Sequence, residues 1–140
     1  MQNRLIATLA AAAIASGCGL TGPESTEPSQ RSGEIKVGDK SQQTQTVKCS
    51  QDQWALSIEA TAGPGRARAY LQLGGVEPEV RTVSLENIDG LNGVAGSDVG
   101  TAEASTEDST IYKITGTADV SDPDNPGSTR EMTFSITAPC

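Results

Sequence analysis

The sequence predicts a mainly β protein: an antiparallel β-sandwich or partly open barrel, preceded by a signal peptide and a disordered stalk. Three observations carry that prediction. From Ile35 onward, apolar residues recur at alternate positions in short runs, the period of a half-buried strand. Clusters of Gly, Pro, Asn and Asp separate the runs at a spacing that suits turns in sandwiches and barrels. No stretch sustains helical spacing, although a helix between Pro78 and Ser105 is left open. Of the 140 residues, 25 are Leu, Ile, Val or Phe, and the formal charge is −8. That balance lies at the compositional border of disorder, so the core must be small, Ala-rich and reinforced from outside itself.

The first element is an export signal over residues 1–17. One positive charge at Arg4 precedes an apolar run over residues 5–15, broken only by Thr8. Eleven residues fall well short of the roughly 20 that span a bilayer as a helix, which favours a cleaved signal over a permanent span. Ala15, Ser16 and Gly17 are small and are followed at once by Cys18, the pattern of a bacterial lipobox, with Ala15 where Leu is usual. In that chemistry the Cys18 sulfur takes a diacylglycerol through a thioether, the chain is cut before Cys18, and the new amine can be acylated. An ordinary signal peptide with a nearby Cys is the competing reading. Two or three acyl chains on one residue meet the two-signal requirement for stable anchoring.

An acylated, disordered tether over residues 18–34 comes next. Between Leu20 and Ile35 there is no bulky apolar residue, and Thr21-Gly22-Pro23-Glu24-Ser25-Thr26-Glu27-Pro28-Ser29 cannot bury a core. With the signal removed, 9 basic face 18 acidic side chains. Such a surface repels anionic headgroups and phosphate backbones, so the attachment expected is to a membrane through lipid, on the extracytoplasmic side, and not to nucleic acid.

The β-rich module over residues 35–140 is read strand by strand. Trp54, Leu56, Ile58 and Ala60 share one face, with Ser57 and Glu59 opposite. Ala67, Ala69, Leu71 and Leu73 repeat the pattern against Arg66, Arg68, Tyr70 and Gln72, and Val83 with Leu85 is a shorter version. Tyr112, Ile114, Gly116 and Ala118, then Met132, Phe134, Ile136 and Ala138, complete the series. Turns are expected at Gly38-Asp39-Lys40, Gly63-Pro64-Gly65, Gly74-Gly75, Asn92-Gly93 and residues 122–127.

With Cys18 assigned to lipid, Cys49 and Cys140 remain as a pair, and export permits oxidation. Cys49 is in strand phase with Val47, and Cys140 with Ala138. A disulfide is the natural inference. It would supply roughly 4 to 5 kcal/mol in the chain-entropy model, the outside help that a sparse core needs. Redox thiols are the weaker alternative, for there is no Cys-x-x-Cys pair and no His to depress a thiol pKa.

Little in the chain points to catalysis. The absence of His removes the commonest general base and metal ligand, and no Ser sits in a Gly-x-Ser-x-Gly elbow, so triad hydrolysis is excluded. Many carboxylate pairs could be drawn among the acidic residues, but a solvated acidic face explains them better than glycoside chemistry. Asp119, Asp122, Asp124 and Asn125 offer oxygen ligands for Ca²⁺ without the spacing of an EF-hand, and a self-capping turn is the preferred reading. Gly63-Pro64-Gly65 and Gly74-Gly75 read as hairpin turns before phosphate cradles. Trp54 reads as core before ligand platform. No catalytic residue, metal or cofactor is expected.

The lipobox, the Thr/Ser/Pro/Gly stalk, Cys49, the run Tyr112-Lys113-Ile114-Thr115-Gly116-Thr117-Ala118 and the C-terminal Cys140 together resemble the mycobacterial 19 kDa lipoprotein antigen family. Val83-Ser84-Leu85-Glu86-Asn87-Ile88-Asp89-Gly90 resembles a segment of the same family. The resemblance implies a non-catalytic cell-envelope lipoprotein and surface antigen whose acylated N-terminus is recognised by host Toll-like receptors. Stalk glycosylation and adhesion to host cells also belong to what it implies. Glu24, Glu27 and Arg31 make this stalk more charged than that pattern. The alternative is a carrier of an apolar ligand or envelope lipid, for which small Ala67, Ala69, Gly116 and Ala118 on inner faces would leave room.

Overall fold

The computed structural model describes residues 32–140. The expected signal peptide, Cys18 and the stalk as far as residue 31 lie outside the described residues. The described residues form ten strands: β1 (Glu34–Val37), β2 (Lys40–Gln43), β3 (Thr46–Asp52), β4 (Ala55–Ala62), β5 (Gly65–Gln72), β6 (Glu79–Ile88), β7 (Leu91–Gly96), β8 (Thr101–Glu107), β9 (Ile111–Ser121) and β10 (Thr129–Pro139). Every pairing is antiparallel, in one sheet of order β2-β1-β10-β9-β7-β6-β5-β4-β3, and β8 adds to β9. The sheet curls into a half-barrel. Strand twist accumulating over so many neighbours bends a sheet back toward itself and lets one face become an interior. The fold is mainly β as expected, and of the two architectures left open, β-sandwich or partly open barrel, the half-barrel corresponds to the second.

The two ends of this path, β2 and β3, are consecutive in the chain, and only Thr44 and Gln45 join them. Main-chain bonds fix the link on both sides: Thr44 N donates to Gly33 O at 3.0 Å, and Gln45 N to Thr61 O at 2.7 Å. Thr44 is itself buried, and its Oγ1 accepts from Gly33 N at 2.7 Å. The half-barrel is thus bridged across its open side by its own backbone.

The interior is built from the inward positions of β1, β4, β5, β6, β7, β8, β9 and β10, with Ile35, Ile58, Leu85, Ile88, Ile114 and Ile136 among its largest fully buried side chains. Eight of the 22 buried apolar residues are Ala. Small inward side chains let the strands of opposing walls approach closely, which is how a chain poor in large aliphatics still excludes water.

The structure corrects the sequence reading in four places. The region left open for a helix holds β6, β7 and most of β8. The buried residues of β6, Val80, Val83, Leu85 and Ile88, are spaced three, two and three apart. Two β-bulges lengthen a plain alternation by one residue each. Arg81 is the extra residue between the pairs Tyr70 with Thr82 and Leu71 with Val80. Glu86 and Asn87 together face Asn92. The turn expected at Asn92-Gly93 sits earlier, at Asp89-Gly90, where both φ values are positive (52° and 85°) as in a type I′ hairpin. Trp54, placed in the core by its phase, is 64% exposed because it is a loop residue between the paired Asp52 and Ala55. Cys49 and Cys140, also in core phase, are exposed: β3 is an edge strand with one neighbour, and Cys140 lies past the end of β10.

Candidate functional site

Three places gather the chemistry the sequence singled out. The first is the cysteine pair. Cys49 and Cys140 form a disulfide with Cα atoms 5.8 Å apart across 91 positions of sequence. The bond joins edge strand β3 to the C-terminal corner, where Cys140 N donates to Thr110 O at 2.7 Å in the β8–β9 turn. Cys18, the third cysteine and the expected lipid carrier, lies outside the described residues.

The second is the acidic loop between β9 and β10. Asp122 Oδ1 accepts from Asp124 N at 2.9 Å, and Asp122 O from Asn125 N at 2.9 Å. Ser128 Oγ donates to Asn125 O at 3.2 Å, and Asp122 Oδ2 stands 3.7 Å from Arg130 Nη2. These bonds engage both oxygens of the Asp122 carboxylate and make the loop a self-capping turn, as its composition suggests. Of the candidate Ca²⁺ ligands, the Asp122 carboxylate is thus committed to shaping the chain, and Asp119 lies within β9 and not in this loop.

The third place was not anticipated. On the outer face, where β3 to β6 lie side by side, the paired rows Ser57–Tyr70–Thr82 and Ala55–Gln72–Glu79 run across the strands. Two open troughs of about 370 and 390 Å³ meet here, and Trp54, Gln72 and Arg81 line both. Tyr70, 49% exposed, belongs to the first. Trp54 reaches this face because Gln53, with φ of 53°, turns the chain out of the pleat. The main chain of Trp54 is tied to the neighbouring loop. Leu73 N donates to Trp54 O at 2.6 Å, and a Cβ at residue 74 would stand 3.3 Å from the indole Cε3, a spacing that suits Gly74 with its φ of 108°. The bulge turns Arg81 outward, where Nη2 donates to Gln72 Oε1 at 2.6 Å and Nη1 lies 3.3 Å from Glu79 Oε1. The outward phase of Tyr70 was visible in the sequence. What hid the site was Trp54, since alternation has no meaning within a loop.

The small residues expected to leave room inside do not all do so. Ala67, Ala69 and Ala118 are buried among core side chains, and a Cβ on Gly116 would overlap the Thr101 carbonyl, so Gly116 serves the close approach of β8 to β9.

Comparison with known proteins places this geometry in context. A family model described as Mycobacterium 19 kDa lipoprotein antigen matches residues 26–140. The lipoprotein LpqH of Mycobacterium tuberculosis and that of Mycobacterium bovis are each 36% identical over 99 residues, covering 69% of this chain. The matched stretch spans 61% of the length of those relatives.

Proposed function

The chain belongs to the Mycobacterium 19 kDa lipoprotein antigen family, lipoproteins of the cell envelope, and on that premise we propose that it is a non-catalytic surface antigen whose receptor-active part is the lipid on Cys18. The observation that carries this reading is the division of the cysteines. Of three in the chain, Cys49 and Cys140 are bonded to each other, which leaves Cys18, directly after Ala15-Ser16-Gly17, as the thiol for acylation. The half-barrel acts as a rigid, acidic head displayed outside the membrane. Each buried methylene of an acyl chain contributes about 0.8 kcal/mol, so a lipid seated in a host Toll-like receptor outweighs contacts from the head.

The test replaces Cys18 with Ala in the full chain. The variant is expected to leave the membrane fraction and to lose stimulation of cells that report Toll-like receptor activation. Undiminished stimulation by purified, lipid-free protein would refute the proposal. The alternative is a carrier of an apolar ligand, although Ala67, Ala69 and Ala118, expected to leave room for one, are packed within the core. Native mass spectrometry of the extracted chain separates the two, because a carrier retains a non-covalent lipid through desolvation and a display head does not.

A further inference from the structure

We propose that the outer-face troughs around Trp54 form a binding site for a neutral carbohydrate chain. The inference starts from an anomaly. The one Trp of a chain with only four aromatic residues is 64% exposed, and one of its two Tyr, at 49%, lines the same trough. The main chain that carries the ring is fixed: Leu73 N donates to the Trp54 carbonyl, and Gly74 lies beside the indole. A rigid aromatic surface loses little side-chain entropy when a ligand stacks on it.

The groups around the rings define the ligand. Aromatic faces carry the negative part of a quadrupole and attract the polarised C–H groups on the flat side of a pyranose. Hydroxyls at the edge of a sugar need planar, bidentate partners, which Gln72, Arg81 and Glu79 supply. Their mutual bonds fix them in place: with its Oε1 engaged by Arg81, Gln72 presents its NH₂ group as a donor. The bulge at Arg81 is a local distortion of the ladder that turns this guanidinium onto the outer face.

Charge then narrows the choice. Arg81 is already offset by Glu79, and Asp52 and Glu77 line the same troughs, so a phosphate or sulfate ligand would meet a net acidic rim on a chain of −8. An apolar ligand would require enclosure, and both troughs are open. Volumes of about 370 and 390 Å³ on either side of one indole fall within the ordinary range of ligand sites and suit an extended chain lying across both better than a single ring.

Trp54 is also the reporter, since no other Trp contributes to the emission. The full chain, extracted in a detergent without sugar headgroups, is titrated with linear neutral hexaoses of glucose, mannose and galactose, with the matching monosaccharides, and with inositol hexakisphosphate. A saturable change in Trp54 emission is expected with at least one hexaose, with the monosaccharide binding about tenfold or more weakly. Tyr70→Ala and Arg81→Gln, which keep the reporter, should each weaken the hexaose about tenfold, and Val94→Ala on another part of the surface should not. Far-UV circular dichroism and an intact disulfide establish that the variants fold. No response to any hexaose, equal binding by Tyr70→Ala, or a stronger response to inositol hexakisphosphate would each overturn the proposal. So would a dimer that Trp54→Ala dissociates, since the aromatic patch would then be covered by a second copy of the chain. The experiment reads sugar binding by the head alone, so its outcome is independent of Cys18 and of receptor stimulation.

Discussion

At the scale of single residues, the contrast between Ile136 and Trp54 tests how the molecule is held together. Ile136 is 1% exposed and pairs across β9 with Ile114, which is fully buried. Ile136→Ala removes three methylene equivalents from a close-packed interior and should cost about 2 to 5 kcal/mol in a denaturant titration followed by circular dichroism. Trp54→Ala removes far more atoms but should cost less than about 1 kcal/mol, because most of the indole already meets water. A large loss for Trp54→Ala would mean that the ring is part of the fold after all. The sequence made the first of these two residues legible and the second not, for one physical reason. Ile136 alternates with Thr133, Ser135 and Thr137 in a strand with two neighbours, so its phase decides its face. Trp54 carries the same phase relation to Leu56 and Ile58 but lies in the two-residue loop before β4, where a positive φ at Gln53 resets the direction of the chain. The cysteines repeat the lesson, because phase places a side chain on a face of the sheet while burial also needs a neighbour to cover it.

At the scale of elements, the β6–β7 hairpin shows how irregularity is specified. Asp89 and Gly90 both adopt positive φ, which Gly accepts without strain and Asp tolerates. Just before them, the bulge at Glu86 and Asn87 leaves an amide without a ladder partner, and Asn92 Oδ1 accepts from Asn87 N at 3.0 Å. The side chain across the hairpin thus replaces the bond that the bulge removes. We predict that Gly90→Ala, at φ of 85°, destabilises the protein by about 1 to 2 kcal/mol. Asn92→Ala should cost about 0.5 to 1.5 kcal/mol through the lost bond to Asn87 N. Thermal unfolding of both variants checks the pair, and a neutral Gly90→Ala would contradict the turn assigned here. The dipeptide Asp-Gly was available in the sequence as a turn signal, but Asn92-Gly93 a few residues on carries the same signal. Choosing between them required the ladder, in which Gly93 pairs with Leu85 and Val120 inside the sheet. The bulges were illegible for a related reason: inserting one residue into an alternation produces gaps of three, which single-sequence periodicity cannot tell from the spacing of a helix.

For the whole molecule, the decisive question is what keeps an open-sided, Ala-rich half-barrel closed. Along the sheet path β10 and β3 stand six steps apart, yet the Cys49–Cys140 bond joins them directly, so the cross-link spans the open side and not a neighbouring pair of strands. The backbone link of Thr44 and Gln45 bridges the same side between β2 and β3. These two connections differ in kind. The backbone link is present in the unfolded chain and so restrains nothing that unfolding releases, whereas the disulfide removes conformations from the unfolded ensemble over a loop of 91 positions. The chain-entropy model assigns such a loop roughly 4 to 5 kcal/mol, and measured losses of native disulfides run about 2 to 5 kcal/mol. We therefore predict that a Cys49→Ser, Cys140→Ser double variant and the chemically reduced parent lose about the same stability, within that range, in guanidinium unfolding followed by circular dichroism. Cys18→Ala is the matched control, as it removes the third sulfur without touching the bond. Agreement between the double variant and the reduced parent would assign the loss to the cross-link, since they share only its absence. An unchanged unfolding midpoint in both would mean instead that twenty-two buried apolar side chains and the hydrogen-bond ladder hold the half-barrel shut unaided.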